Sequence, residues 1–477
     1  MKNKNFIIIV LATLGLSACS EDVMFNINKD KNNPTDVASR LIITDMINSS
    51  AFNVASGDLA LYASVYVEYN VGIYNQMYNA EMRLGEPSGA TTYNNTWNSM
   101  YSNLWVLKTI IEKCSPDGPE ESNTAILGMA QILSAYNLAM LTDLMGDVPW
   151  TEALQPGIYW TPNLDKQADI YVVINQFLTD GIANLEKPSS VAAIGSQDII
   201  YGGVASRWVK FGYGLQARYA MRMSKVAPNY DAVINAANKS FASPSEEAKW
   251  TKYPTVQNPF YLMFTDRDYF GASQSLLDKL EDRDDPRADL FFEPYPGEDD
   301  LYFAPNGSPA QRQGYYSTSA LIPSAPIYLM SYHELEFLKA EAYARKNDLA
   351  NARSSLQKAV TAAFTKPTVG LTDADANDYF ADAVAPSLNS QADAIREIMV
   401  QKYLGLFEGE AIETYNDIRR LRAMGESATI AIANPLRFPL RYSYGAEDVT
   451  TNVNVRNAYG DGQYVYSENV WWAGGSR

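Results

Sequence analysis

The stretch from Thr124 to Leu154 constrains the fold more than any other part of the chain. It reads TAILGMAQILSAYNLAMLTDLMGDVPWTEAL. Residues 124–145 can form one continuous helix about 33 Å long, at about 1.5 Å per residue. Asn123 stands at the N-cap position, Gly146 at C′, and Pro149 bars continuation. Apolar side chains occur almost all round this helix, the pattern of a buried element. Gln131, Ser134 and Asn137 make a narrow polar stripe at a spacing of three. A membrane span has the same length, but Gln131, Asn137 and Asp143 and the lack of a basic flank argue against one. A buried central helix needs other helices around it.

The rest of the chain supplies them. Apolar positions recur at three and four residues through 39–78, and again from Trp97 through Met100, Leu104 and Leu107 to Ile111. Residues 165–187 read as an amphipathic helix with Ile170, Ile174, Phe177, Leu178, Ile182 and Leu185 inward. Residues 204–226 read as another, carrying a basic edge of Arg207, Lys210, Arg218, Arg222 and Lys225 that is expected to pair with an acidic body. Gly212-x-Gly214-x-x-Ala217 lies within it and matches a dinucleotide fingerprint in form only, because no strand precedes it. Residues 327–364 hold two helices joined by Lys346-Asn347-Asp348, with Asp348 as a cap, in the manner of a tetratricopeptide unit. A last helical pair is expected over 392–423.

Two stretches break the pattern. Residues 243–326 are rich in Pro, Gly, Asp and aromatics and predict loops and short strands without sustained helix. Within them Glu281–Arg287 lacks the spacing of a calcium loop and is expected to be a turn with internal Arg–Asp pairing. Residues 435–477 are expected to lie as an extended tail on the body. The fold class is therefore mainly α, with tetratricopeptide-like pairs in an α-superhelical body and a loop-rich subdomain.

The N-terminus carries an address. Lys2 and Lys4 precede an apolar run, Phe6–Leu14, and Leu16-Ser17-Ala18-Cys19 follows. That order resembles a bacterial lipoprotein leader, with cleavage before Cys19 and lipid on it. The expected organisation is a signal peptide over 1–18, a lipidated polar tether over 19–34, and one folded domain over 35–477. Cys114 then has no disulfide partner and is expected to be a packed thiol. The net charge of −17 becomes −19 without the two leader lysines, 36 basic against 55 acidic residues. Such a surface disfavours nucleic acid and anionic membrane as partners.

Catalytic signatures are missing. The single His333 lies in His-Glu-Leu-Glu-Phe, without the second His of a zincin. There is no P-loop, no Gly-x-Ser-x-Gly elbow and no Cys/His metal cluster. Among 55 acidic residues no carboxylate pair stands out for glycoside hydrolysis. No catalytic residue, metal or cofactor is expected.

Five stretches together resemble the SusD/RagB family of outer-membrane nutrient-binding lipoproteins. They are the lipobox at Cys19, Gly146–Ala153 (GDVPWTEA), the run RWVKFGYGLQARYAMRMS from Arg207, Asp285-Pro286-Arg287, and PIYLMSYHELEFLKAEAYAR from Pro326. The GDVP turn and the Trp471-Trp472 tail are similar to one branch of that family. Arg437–Tyr442 departs from it, where the family often has Arg-x-Pro-Tyr-Pro. The resemblance implies four tetratricopeptide-like pairs and non-catalytic capture of glycans, or less often peptides. It also implies an outer-membrane location and a SusC-like TonB-dependent transporter as partner. A glycoside hydrolase on the same scaffold is the competing reading.

Sugar sites combine flat aromatic rings with amide side chains, and such sites sit on loops of a rigid scaffold. Residues 85–101 offer that mixture, with Tyr93, Asn94, Asn95, Trp97, Asn98 and Tyr101 as candidate ligand contacts. The family resemblance also implies a stacking Trp early in the chain, just before a helix, where Trp97 stands. Trp97 equally continues the apolar stripe of Met100 and Leu104, as a core residue would. Tyr302, Tyr315 and Tyr316 are the candidates for an opposite wall.

Overall fold

The computed structural model describes residues 36–84, 92–188, 191–253 and 256–477. The leader, Cys19, the tether and residues 85–91 of the candidate loop lie outside the described residues.

The longer helices are α1 (Ser39–Ser49), α2 (Asp58–Tyr66), α3 (Asn94–Cys114), α4 (Thr124–Met145), α5 (Gln167–Glu186) and α6 (Ala205–Arg222). They continue with α7 (Tyr230–Ala237), α8 (Tyr332–Arg345), α9 (Leu349–Phe364), α10 (Gln391–Gly405) and α11 (Ala411–Met424). Helix α4 keeps its expected bounds, and every residue from Ile126 to Met145 is buried. Its polar stripe is satisfied by its neighbours, as buried amides require. Asn137 accepts from Asn103 of α3 at 3.0 Å, and Gln131 accepts from Asn184 of α5 at 2.8 Å. Ser134 donates to the carbonyl of Ala130 within the helix. Asn123 does not cap α4 through its side chain; its amide donates to Glu120 instead. Gly146 takes φ +79° beside the Arg441 guanidinium, where a Cβ would stand 2.4 Å from Nη2.

Helix α4 packs on α1, α3, α5 and α6, and the superhelix then proceeds from α6 to α7, α8 and α9. Helix α10 closes on α8 and α9, and α11 returns to α2. Helices α4 and α5 run antiparallel, since Gln131 meets Asn184 while Asp143 meets Tyr171. Glycine sets their separation: a Cβ on Gly128 would lie 2.6 Å from the Gly181 carbonyl. Gly212 of α6 fits against Ile132 and Ile182, and Gly214 against Met330 and Ser240. The Gly212-x-Gly214 pattern thus serves close helix packing. Asp348 caps α9 by accepting from the Asn351 amide, as the sequence predicts.

The loop-rich part departs from expectation in two places. Residues 259–267 and 274–281 are short helices, capped by the side chains of Asn258 and Ser273. Each is too short for periodicity to show, so only the cap residues marked them. The strands β1 (Asn70–Gly72), β2 (Val148–Pro149), β3 (Leu164–Asp165), β4 (Ala248–Trp250), β5 (Phe270–Ala272), β6 (Phe292–Glu293), β7 (Thr318–Ser319) and β8 (Ile327–Met330) pair antiparallel as β1–β5, β2–β3, β4–β8 and β6–β7. The tail is likewise less extended than expected, with short helices at Ala446–Thr451 and Val453–Tyr459.

Candidate ligand-binding site

Charged side chains of the body are drawn inward. Arg218 of α6 forks onto Glu334 of α8, with Nε to Oε1 at 2.8 Å. Arg222 joins Asp143 of α4, at 3.1 Å, to Glu413 of α11. Arg420 holds Glu341 at 2.7 Å through both oxygens and reaches Asp417, which also pairs with Lys402 at 2.6 Å. Burial alone would raise the Glu341 carboxyl, but Arg420 and Arg345 override it and hold it at about 2. The ring of Trp472 lies under the guanidinium groups of Arg222 and Arg419. Two residues of the expected basic edge, Arg218 and Arg222, therefore cross-link the helices, while Lys210 pairs with Glu246 at 2.5 Å. Asp285 and Arg287 pair at 2.6 Å as expected, whereas Arg283 turns to Glu397 of α10. His333 is buried, with Nε2 2.9 Å from the Glu410 carboxylate. Cys114 is a buried free thiol, its pKa pushed up by burial.

The first candidate group belongs to the core. Trp97 has no exposed surface and donates from Nε1 to Asp448 at 2.5 Å. Tyr93 is buried and stacks on Tyr442, ring centroids 4.2 Å apart and planes within 8°. Tyr101 donates to the Pro149 carbonyl, and Asn94 and Asn98 both donate to Glu447. The tail segment around Tyr444 and Gly445 covers this face. A Cβ on Gly445 would lie 2.5 Å from the Trp97 ring, so glycine permits the closure. Trp97 and Tyr93, expected at the ligand, are instead enclosed under the tail. Gly445, between Tyr444 and the acidic start of the helix Ala446–Thr451, was the available sequence cue for that cover.

Of the other candidates, Tyr302 and Tyr315 reach the surface and Tyr316 does not. Tyr302 and Tyr315 are half-buried and stacked, centroids 4.7 Å apart, with the Arg312 guanidinium 4.0 Å from the Tyr315 centroid. Tyr316 is buried beneath them with Val71, Ile73 and Ala304. The β1–β5 ladder carries a second pair beside them, Tyr74 and Tyr269, with centroids 5.7 Å apart. Asn75 donates to the Tyr269 hydroxyl at 3.0 Å, and Asp268 accepts from the Gly314 amide at 2.8 Å, which ties the two pairs together. Tyr74 is half exposed. Asn75 and Asp268 adopt left-handed φ of 50° and 49°, and these turns present the adjacent rings outward. Sequence reading missed Tyr74 and Tyr269; an Asn or Asp turn residue next to each Tyr was the available cue.

Arg267 leads from this platform into a cleft of about 400 Å³. Phe52, Leu61, Leu262 and Met263 give it an apolar lining, and Asp58, Asn95, Asp266 and Arg267 supply polar groups. Asn95 lies 3.4 Å from Asp58, whose carboxyl is raised by burial. Of the first candidate group, Asn95 alone lines this cleft. Flat rings beside an amide- and charge-bearing cleft suit a ligand with apolar faces and many hydroxyls.

A family profile described as "Starch-binding associating with outer membrane", SusD-like, matches residues 31–445. A SusD/RagB family protein from Bacteroides thetaiotaomicron is 42% identical, with a TM-score of 0.83 over 93% of this chain and all of that one. A chitin-binding SusD homolog from Flavobacterium johnsoniae shares the fold at 19% identity and TM-score 0.74, over 91% of this chain and 98% of that one. A SusD homolog from Bacteroides fragilis does so at 20% identity and TM-score 0.74, over 92% and 100%. No curated protein sequence matches this chain. With a profile match over most of its length and this 42% identical relative, the chain belongs to the SusD-like family of outer-membrane-associated proteins, which bind rather than catalyse.

Proposed function

We propose that this protein captures glycans at the cell surface, held to the outer membrane by lipid on Cys19, and delivers them to a SusC-like TonB-dependent transporter. The observation that carries this reading is the partly exposed platform of Tyr74, Tyr269, Tyr302 and Tyr315, linked by Arg267 to the Asp58–Arg267 cleft. Tyrosine faces bury sugar C–H surface, and the cleft's amide and charged groups meet hydroxyls. The starch-binding description of the family and the chitin-binding relative support a glycan as ligand. The leader ending Leu16-Ser17-Ala18-Cys19 supports the anchor.

Calorimetric titration against a panel of starch, chitin and other oligosaccharides tests the ligand class. Binding without cleavage of one glycan is the expected result; absence of binding across the panel, or turnover of any member, overturns it. Cys19→Ala is expected to release the protein from the outer-membrane fraction.

A further inference from the structure

One loop of the described chain is built to expose apolar surface. Between β2 and β3 the segment Gln155–Asn163 presents Ile158 at 67%, Tyr159 at 44% and Trp160 at 83% exposure. From Ala153 to Leu164 no side chain is charged, in a chain of net charge −17. The exposure is not slackness. Asp165 accepts from the backbone amides of Trp150 and Thr151 and from the Thr151 hydroxyl, at 2.7–3.0 Å. Glu152 accepts from the backbone and side chain of Asn163, and Asn454 and Asn452 donate to the carbonyls of Thr161 and Pro162 at 2.9 Å. A loop pinned on both strands and from the tail, yet holding a Trp in water, has the character of a preorganised contact.

Its place in the fold selects the occupant. The tail helices that pin it also carry Glu447, which binds Asn94 and Asn98 at the start of α3, and the adjacent Asn95 lines the ligand cleft. Residues of the tail and of the start of α3 thus link the tip to the cleft. A receiver that docks over the cleft and the tail would also meet the tip. An uncharged Ile-Tyr-Trp tip fits an apolar pocket of a protein and offers no hydrogen-bonding frame for a sugar, since the neighbouring Asn amides are engaged with loop carbonyls and Glu152. Three side chains fall well short of the roughly 800 Å² per partner of a stable complex, so the tip is one anchor within a broader contact.

We propose that Ile158, Tyr159 and Trp160 form a rigid apolar anchor that inserts into an apolar pocket of the β-barrel transporter receiving the ligand. This rests on the transporter reading given under Proposed function. The test is photo-crosslinking from benzoylphenylalanine at position 160 in the full lipidated chain, expressed with its own locus, with Lys358 on α9 as the comparison position. The expected product is a covalent adduct identified by mass spectrometry as a β-barrel transporter, formed from 160 and not from 358. Trp160→Asp should lower recovery of that complex about 10- to 30-fold, the range of an interface hot spot, while glycan affinity and melting temperature stay at wild type. A complex that survives Trp160→Asp unchanged overturns the anchor and leaves the transporter reading standing. A wild-type chain that forms no complex overturns both. Loss of glycan affinity in Trp160→Asp would make the tip a sugar subsite. Trp160-dependent binding of the Cys19→Ala chain to phosphatidylethanolamine–phosphatidylglycerol vesicles would make it a membrane contact. Either result overturns the anchor.

Discussion

The helical body and the loop-rich end handle polar chemistry in opposite ways. In the body, Arg218, Arg222 and Arg420 lie buried among Asp143, Glu334, Glu341, Glu413 and Asp417, each guanidinium bonded to carboxylates of other helices. At the other end, rings of Tyr74, Tyr269, Tyr302 and Tyr315 stand at the surface with Arg267 and Arg312 beside them, neither within 4 Å of a carboxylate among the described residues. The first arrangement fixes helices in register, because a desolvated charge tolerates little displacement from its partner. The second leaves side chains free to meet a ligand. The stretches that carry the family resemblance fall mainly on the first region: the run from Arg207 supplies Arg218 and Arg222, and the run from Pro326 supplies Glu334, Glu341 and Arg345. They report scaffold rather than the candidate site.

The largest expected effect comes from breaking the buried spine. Arg222→Met leaves Asp143 and Glu413 buried with one fewer cation, and removal of one partner from a buried pair costs about 3–5 kcal/mol. Urea unfolding should show that loss, with glycan affinity of the folded fraction near wild type. A loss below about 1 kcal/mol would place Arg222 with the weakly coupled surface pairs.

Trp97→Ala tests which region that residue serves. As an enclosed ring it should cost about 3–5 kcal/mol in stability through the cavity left behind. Glycan affinity, measured below the unfolding transition, should change little. A tenfold fall in affinity with an unchanged unfolding midpoint would return Trp97 to the ligand surface.

How much of this was legible differs between the regions for a physical reason. Helix α4, the amphipathic α5 and the α8–α9 turn were readable because periodicity and caps act within one segment. The pairing of Arg218 with Glu334 spans 116 positions, and the sequence shows only that both charges exist. Tyr302 and Tyr315 could be named from composition, but their partners Tyr74 and Tyr269 come together only through the β1–β5 ladder. For Trp97, loop position and core stripe pointed to it equally, and the tail residue that holds its indole, Asp448, arrives some 350 residues later.

Two buried carboxylates, one from each region, should respond to pH with opposite sign. Glu341 of the body is held at about 2 against 4.5 in the unfolded chain. Its contribution is present above pH 4.5 and is lost as pH falls through 2. Glu81, at the loop-rich end, accepts from the Gly307 amide at 2.5 Å and from Asn434, yet burial raises it to about 7. Between pH 4.5 and 7 the folded state keeps a proton the unfolded chain has released. Its contribution is therefore present below 4.5 and is lost as pH rises through 7, by roughly 3 kcal/mol. Glu81→Gln should flatten the decline in stability between pH 5 and 8, read from unfolding midpoints. An unaltered slope would show that Glu81 is ionised in the folded protein.

The smallest effect on stability, and the most selective one on function, is expected at the platform. Tyr302 and Tyr315 stack on each other at 28° between planes, with Arg312 over Tyr315, so the half-buried Tyr302 presents the outer face of the stack. A sugar ring laid on such a face removes apolar area from water and should contribute about 1.5–3 kcal/mol. Tyr302→Ala or Tyr315→Ala should then weaken glycan binding about ten- to a hundredfold. The cost in stability should stay near 1 kcal/mol, since neither ring is a core residue. Tyr316→Ala provides the contrast within the same loop: its buried ring packs on Val71, Ile73 and Ala304, so its truncation should lower the melting temperature more than it weakens binding. Calorimetric titration and thermal melts of the three variants separate the two roles. If Tyr302→Ala and Tyr315→Ala both bind as wild type does, the ligand rests on the Asp58–Arg267 cleft alone, and the tyrosines are only its rim.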